Sequence, residues 1–407
     1  MKIILIFLSI VSVVFTCQDT GCPDGQSCNP YTDQCVVDPP PPARPAAWLG
    51  DEPDFCNRSP DDCKHFNLEY DISHPKGDGD FCENGTKIRC LIGENKPELE
   101  NSPDNELRVI AYNVFERSFQ ITWDGQRERT CRLPFELLDK NRDVDVITFQ
   151  EVFMGGCFAE SLNIRQILTY YGFPYFTDLL ESDDVPSNGG IFIASKWPIV
   201  EQDMHIYNAS DENTWDWFAA KGVSYAKIKK GDTFYHVTGT HMQAGGSSDI
   251  KPKQCQETAD FLKTKSIPQS EPIVYSGDFN LNQWSSNTEA LKQCVQFLDA
   301  EIPPNEGPLN ATSDPNTNDV LNLTTSNPRP GSWLDYVMPN IAHKRPTSAV
   351  QIVLKPIGTP AFPVCWCEQC ISLDPDYIYP DDEDCDRVER IQDLSDHYPV
   401  LGVFKYD

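Results

Sequence analysis

Pro272-Ile273-Val274-Tyr275-Ser276-Gly277-Asp278-Phe279-Asn280 is the stretch whose reading decides the fold. A short apolar run with β-branched residues, ended by a turn signal, reads as a strand buried on both faces. This one closes on a carboxylate and an amide. The pattern recurs: Leu107–Tyr112 runs into Asn113, Val144–Phe149 into Glu151, and Asp396-His397 opens Tyr398–Phe404. Ile191–Ala194 is a further strand of this type. Val223–Lys229 and Thr233–Thr238 flank Lys230-Gly231-Asp232, a hairpin signal, and the second arm leads to His241. Helical texture lies between them near Arg132–Asp139, Phe158–Tyr171, Lys253–Lys265 and Ser286–Ala300. Interleaved strands and helices predict an α/β chain with sheets sandwiched by helices, and a small disulfide-rich N-terminal segment.

The 407 residues carry 33 Lys+Arg against 62 Asp+Glu, a formal charge of −29. That balance offers no basic footprint for nucleic acid. Sixteen cysteines point to an oxidising compartment. Residues 1–16 read as a secretory signal peptide, with one leading positive charge and an apolar run too short to span a bilayer. Acceptor sequons at Asn57, Asn84, Asn208, Asn310 and Asn322 agree with a secreted, extracellular protein.

Behind the signal peptide, residues 17–37 form a cysteine-rich module whose Cys17, Cys22, Cys28 and Cys35 allow three pairings. Residues 38–47 read as a proline-rich spacer. Residues 48–104, with Cys56, Cys63, Cys82 and Cys90, show little periodicity and read as a covalently stapled collar. Residues 105–407 hold the catalytic domain.

Strand ends are where functional groups converge in α/β folds. Several strands here end in carboxylate, amide or imidazole, which is harder to assign to chance than any single motif. Glu151 and Asn113 can supply oxygen ligands to a hard cation such as Mg²⁺. Asp278 and Asn280, two apart, face one side of an extended turn. His397 beside Asp396 suits a general base, and His241 a second imidazole for the leaving oxygen or phosphoryl charge. Asn113 alone would be read as a turn cap, and Asp335 as a structural hydrogen-bonding group. His65, His74, His205, His236 and His343 read as packing or surface residues, and Asp381-Asp382-Glu383-Asp384 as a solvated loop.

Taken in order, Tyr112-Asn113-Val114-Phe115, Gln150-Glu151-Val152-Phe153, Asn188-Gly189-Gly190 through Ser195-Lys196-Trp197-Pro198-Ile199, His236-Val237-Thr238-Gly239-Thr240-His241-Met242-Gln243-Ala244, Gly277-Asp278-Phe279-Asn280 and Ser395-Asp396-His397-Tyr398-Pro399-Val400 resemble the metal-dependent endonuclease/exonuclease/phosphatase superfamily. Within it the chain is most similar to the secreted, bacterial-type neutral sphingomyelinases. The resemblance spans residues 106–407 and implies the family's α/β fold, a two-sheet sandwich flanked by helices. It implies Mg²⁺ (or Mn²⁺ or Co²⁺) held by Glu151 with Asn113. It implies that Asp278 and Asn280 bind the phosphate, that His397 supported by Asp396 activates water, and that His241 stabilises the transition state. Asp335 takes a supporting part. A carboxylate partner for His241 stays open among Asp178, Glu181, Asp183 and Asp184. The implied substrate is sphingomyelin in a membrane surface, taken by a monomer with no nucleic-acid partner.

Phe362 and Trp366 lie in a cysteine-bearing stretch with Cys365, Cys367, Cys370 and Cys385. Sphingomyelinases carry an exposed aromatic hairpin in about this place, so these two side chains are expected to contact the membrane; an inward-packed disulfide loop is the rival. The rival functions are a secreted nuclease or phosphatase of the same superfamily, and a non-catalytic secreted binding protein.

Overall fold

In the computed structural model, residues 17–50, 56–119, 121–158, 161–211, 214, 218–285, 288–325, 329–367 and 387–407 are described. The expected signal peptide, Cys370, Cys385 and the 381–384 acidic run lie outside them. Two units are distinguished, one comprising residues 1–63 and 70–91, the other 64–69 and 92–407.

Two parallel strand pairs organise the larger unit. Glu106–Glu116 runs parallel to Val146–Val152, and Thr233–His241 parallel to Ile273–Asp278. The first pair sits inside a six-stranded sheet of order Ser348–Val353, Val400–Lys405, Glu106–Glu116, Val146–Val152, Phe192–Ser195, Tyr175–Phe176. The second sits in a five-stranded sheet of order Ile199–Ile206, Gly222–Lys230, Thr233–His241, Ile273–Asp278, Asp335–Pro339. The sheets pack face to face through one core that includes Val109, Val146 and Val400 of one and Val237, Val274 and Val337 of the other. Each such fully buried aliphatic side chain contributes roughly 1.5–3 kcal/mol. The Thr148 and Ser276 hydroxyls meet across the layers at 2.6 Å, so even the polar contacts between sheets are paired. Among the described residues, no helix is long and apolar enough to cross a membrane.

Helices flank the sandwich as the sequence predicts, with shifted ends. Ile164–Tyr171 starts later than expected because Asn163 caps it, accepting from the Gln166 N–H while the Gln166 side chain returns to the Asn163 N–H. Gln126–Lys140 starts earlier and carries Pro134 in its interior, where the missing N–H leaves one helical bond unmade. Its early turns escaped prediction because Glu128 and Arg129 are both buried. The Cys255–Cys294 disulfide ties helix Ile250–Lys263 to Glu289–Phe297, and Cys131–Cys157 ties Gln126–Lys140 to the turn after Val146–Val152.

In the smaller unit, Cys17–Cys28 and Cys22–Cys35 select one of the three pairings around a Gln26–Asn29/Gln34–Val37 hairpin. Cys56–Cys82 and Cys63–Cys90 staple a three-stranded sheet of order Ala46–Leu49, Lys87–Leu91, Glu69–His74. The sequence showed little periodicity here because the central strand Lys-Ile-Arg-Cys-Leu is buried at every position. Arg89 is accommodated by Asp71, its Nε donating to the carboxylate at 2.6 Å.

Candidate active site

Register alone brings the strand ends together. His241 is opposite Asp278 in the parallel pair, Asp278 is opposite Asp335 in the antiparallel one, and Val400, just after His397, is opposite Ala111. The local backbone is unusual at this end. Phe115, Glu151 and Asn280 all adopt left-handed φ, of 51°, 59° and 52°. Such conformations cost of order 1–3 kcal/mol each and persist where a site is built. Gly277 has φ 138°, and a Cβ there would lie 2.0 Å from the Thr240 carbonyl oxygen, so only glycine lets Asp278 follow.

Two hydrogen-bonded groups result. In the first, Asn113 donates from Nδ2 to Glu151 Oε1 at 2.9 Å and to Asp278 Oδ2 at 3.2 Å, while its Oδ1 accepts from the Phe115 N–H at 3.0 Å. The amide therefore braces two carboxylates. His241 Nε2 lies 3.6 Å from Glu151 Oε1 and 3.5 Å from Asp278 Oδ2. The Asn280 N–H donates to Asp278 Oδ1 at 2.8 Å, and its side chain to the Met242 carbonyl at 3.0 Å. In the second group, His397 Nδ1 donates to Asp335 Oδ2 at 2.8 Å. Asp278, Asp335 and His397 each offer a ligand atom within 4.8 Å of the others.

Three expectations change here. The carboxylate that orients His397 is Asp335, not Asp396; the side chain of Asp396 approaches Ser395 Oγ at 3.5 Å. The carboxylates facing His241 are Glu151 and Asp278, and none of Asp178, Glu181, Asp183 or Asp184 is among them. Phe362 and Trp366 do not form an exposed membrane contact. They are 4% and 1% exposed, packed inward on strand Ile357–Cys367, with the Arg132 guanidinium 4.1 Å from the Phe362 ring. Both belong to a three-stranded sheet whose inner face takes their apolar area, and Cys365 and Cys367 are both disulfide-bonded. The other histidines are partnered away from the site: His65 by Glu128, His74 by the Val37 carbonyl, His205 by Glu257, His236 by Glu271 and His343 by the Pro268 carbonyl.

Two residues that contact the site's side chains or backbone were not singled out from sequence. Lys221 Nζ sits 3.1 Å from His241 Nε2 and 3.2 Å from Nδ1. The hairpin turn could have revealed it: Lys230 pairs with Thr233, so counting back puts Gly222 opposite His241. Arg129, fully buried, donates to the Val114, Phe115 and Leu394 carbonyls at 2.9, 2.6 and 3.1 Å and to Asp124 Oδ1 at 2.6 Å. It thereby fastens the segment after Asn113 to the one before Asp396-His397.

The charges divide the two imidazoles. Burial, Lys221 and His397 hold His241 well below the usual histidine value. Burial opposes a charge on His397, but Asp335, Asp396 and Asp278 outweigh it and hold the proton well above that value. Burial and then Asp335 raise Asp278; burial, against the attraction of His397 and with the repulsion of Glu151, raises Asp396. Asp335 Oδ1 is buried without a hydrogen-bond partner among the described residues. Glu151, Asp278 and Asp335, the second raised toward the neutral form and the third with an orphaned oxygen, make an oxygen-rich donor set. This fits a hard divalent cation.

The profile of the Endonuclease/Exonuclease/phosphatase family matches residues 123–397. The chain belongs to this family. Its matched segment holds Glu151, His241, Asp278, Asp335 and His397. Among curated relatives, a sphingomyelinase C of Bacillus cereus is 29% identical over 344 residues, covering 78% of this chain and 95% of that protein. A phospholipase C of Staphylococcus aureus is 29% identical over 351 residues, covering 77% and 93%. A crystal structure of a beta toxin mutant from Staphylococcus aureus with bound magnesium ions aligns with TM-score 0.61 and 26% identity, over 74% of this chain and all of that one. The chain places its polar strand ends at one edge of its two-sheet sandwich.

Proposed function

We propose that the protein is a secreted, monomeric, Mg²⁺-dependent phosphodiesterase of phospholipase C type, which hydrolyses sphingomyelin in a membrane surface to ceramide and phosphocholine. The observation that carries this is the convergence of Glu151, Asn113 and Asp278 opposite the His397–Asp335 pair, in a chain so similar to sphingomyelinase C over most of its length.

Glu151 would hold the magnesium, its carboxylate kept in place by the Asn113 amide. When bound, the ion supplies positive charge that polarises the phosphoryl group and offsets the pull of the carboxylates on the His397 proton. Asp335 accepts from His397 Nδ1, which leaves Nε2 to take a proton from water. The water oxygen bonds to phosphorus, the bond from phosphorus to the ceramide oxygen breaks, and that oxygen takes a proton from solvent while His397 returns the one it accepted to solvent. Asn280 offers an amide to a phosphoryl oxygen. His241 and Lys221 lie where charge builds on the phosphoryl group, and Lys221 supplies the cation there.

Assaying phosphocholine release from sphingomyelin and phosphatidylcholine, beside nicking of plasmid DNA, tests the reading. It predicts cleavage of sphingomyelin ahead of phosphatidylcholine and intact plasmid. Nicked plasmid with untouched sphingomyelin would assign the site to nuclease chemistry instead.

A further inference from the structure

A cavity of about 620 Å³ opens between the turn after Asn280 and helix Glu289–Phe297, and no residue assigned to the active site lines it. Its walls include Leu291 and Val295, and Trp284 stands at the rim, 53% exposed. The lining is mainly apolar, and an exposed indole asks for an apolar face to stack on it. A pyranose ring supplies one in the C–H groups of its face, while its hydroxyls stay toward solvent.

The chain carries an attachment point for one at this rim. Asn310 lines the cavity, is exposed, and begins the sequon Asn310-Ala311-Thr312. The Trp284 Nε1–H donates to the Asn310 carbonyl at 2.7 Å, so the indole and the acceptor asparagine are held together. We propose that Asn310 carries an N-linked glycan whose first N-acetylglucosamine folds back over this cavity and stacks on Trp284. The attachment bonds the sugar's anomeric carbon to Asn310 Nδ2, releases an Nδ2 proton and expels the lipid pyrophosphate that carried the oligosaccharide. Thr312 is fully buried, and its Oγ1 accepts from the Leu334 N–H at 2.9 Å. Transfer therefore precedes folding. This inference rests on the secretory part of the proposed function.

The test expresses the full chain in a eukaryotic secretory host that leaves high-mannose glycans. Site occupancy is read by glycopeptide mass spectrometry, and acrylamide quenching of Trp284 is taken as the difference from a W284F variant. The wild type, and wild type trimmed by an endoglycosidase to a single N-acetylglucosamine, should both shield Trp284. N310Q should expose it and melt about 2 °C or more lower. Equal quenching in N310Q and wild type overturns the inference, as does an empty Asn310 while other sequons are occupied. A chain that is not secreted, or has all five sequons empty, overturns the secretory reading along with it.

Discussion

Asp335 Oδ2 accepts a hydrogen bond from His397 Nδ1 at 2.8 Å, joining the start of strand Asp335–Pro339 to the segment just before strand Val400–Lys405 of the other sheet, 62 positions away. The bond engages Nδ1 and leaves Nε2 for the proton transfer proposed above. An amide at 335 would present either a donor or a weaker acceptor and release that constraint. Asp335→Asn is therefore expected to lower kcat by about 10²–10⁴-fold with little change in KM. Steady-state kinetics on sphingomyelin vesicles, with circular dichroism as a control for folding, check this.

Arg129 acts through geometry rather than by touching substrate. Lysine keeps the charge but lacks the planar fork that reaches three carbonyls and Asp124 together. Arg129→Lys is expected to cost about 3 kcal/mol or more, because Asp124 and the carbonyls stay buried with partners missing. Urea unfolding monitors the loss, and activity should fall with it as the Asn113 and His397 segments loosen.

Phe362 and Trp366 illustrate how one sequence signal supports two structures. Aromatic residues in a cysteine-bearing loop suit a membrane finger and a small core equally well, and only the pairing of strands Ile357–Cys367 and Arg387–Asp393 decides. Since both rings are buried, alanine at either position should destabilise the protein by about 3–5 kcal/mol. Activity on liposomes and on a soluble choline phosphodiester should fall together. A loss confined to liposomes would restore the membrane role.

Glu116 gives a pH dependence. Burial pushes its carboxyl from 4.5 up to about 8, against the Gly156 N–H that donates to it at 2.8 Å. A folded-state value above the unfolded one means that the folded form holds the proton more tightly. The associated stability is fully present below about pH 4.5 and is lost as pH rises through about 8. Between pH 5 and 8 the urea midpoint of Glu116→Gln should fall less than that of the wild type. Parallel declines would contradict the assignment.

Most of the sandwich was legible because its strands are buried on both faces and read as continuous apolar runs. The polar residues at their ends then stand out, which is why Asn113, Glu151, His241 and Asp278 could be picked out. The Asp335–His397 pairing was not legible, because it depends on the register between strands far apart in sequence. Lys221 looks like any surface lysine until the hairpin count sets it beside His241. The sheet of the smaller unit was hidden by Lys87 and Arg89, charged residues that burial and pairing draw into a strand.

The central claim is that one metal-dependent site, built on Glu151 and His397, cleaves a choline phosphodiester. Phosphocholine release from sphingomyelin vesicles, measured with magnesium, with EDTA, and for Glu151→Gln and His397→Ala, tests it most directly. The account predicts release in magnesium and its loss in the other three conditions, with magnesium reversing the effect of EDTA. Undiminished release in EDTA, or from the His397→Ala variant, would contradict it.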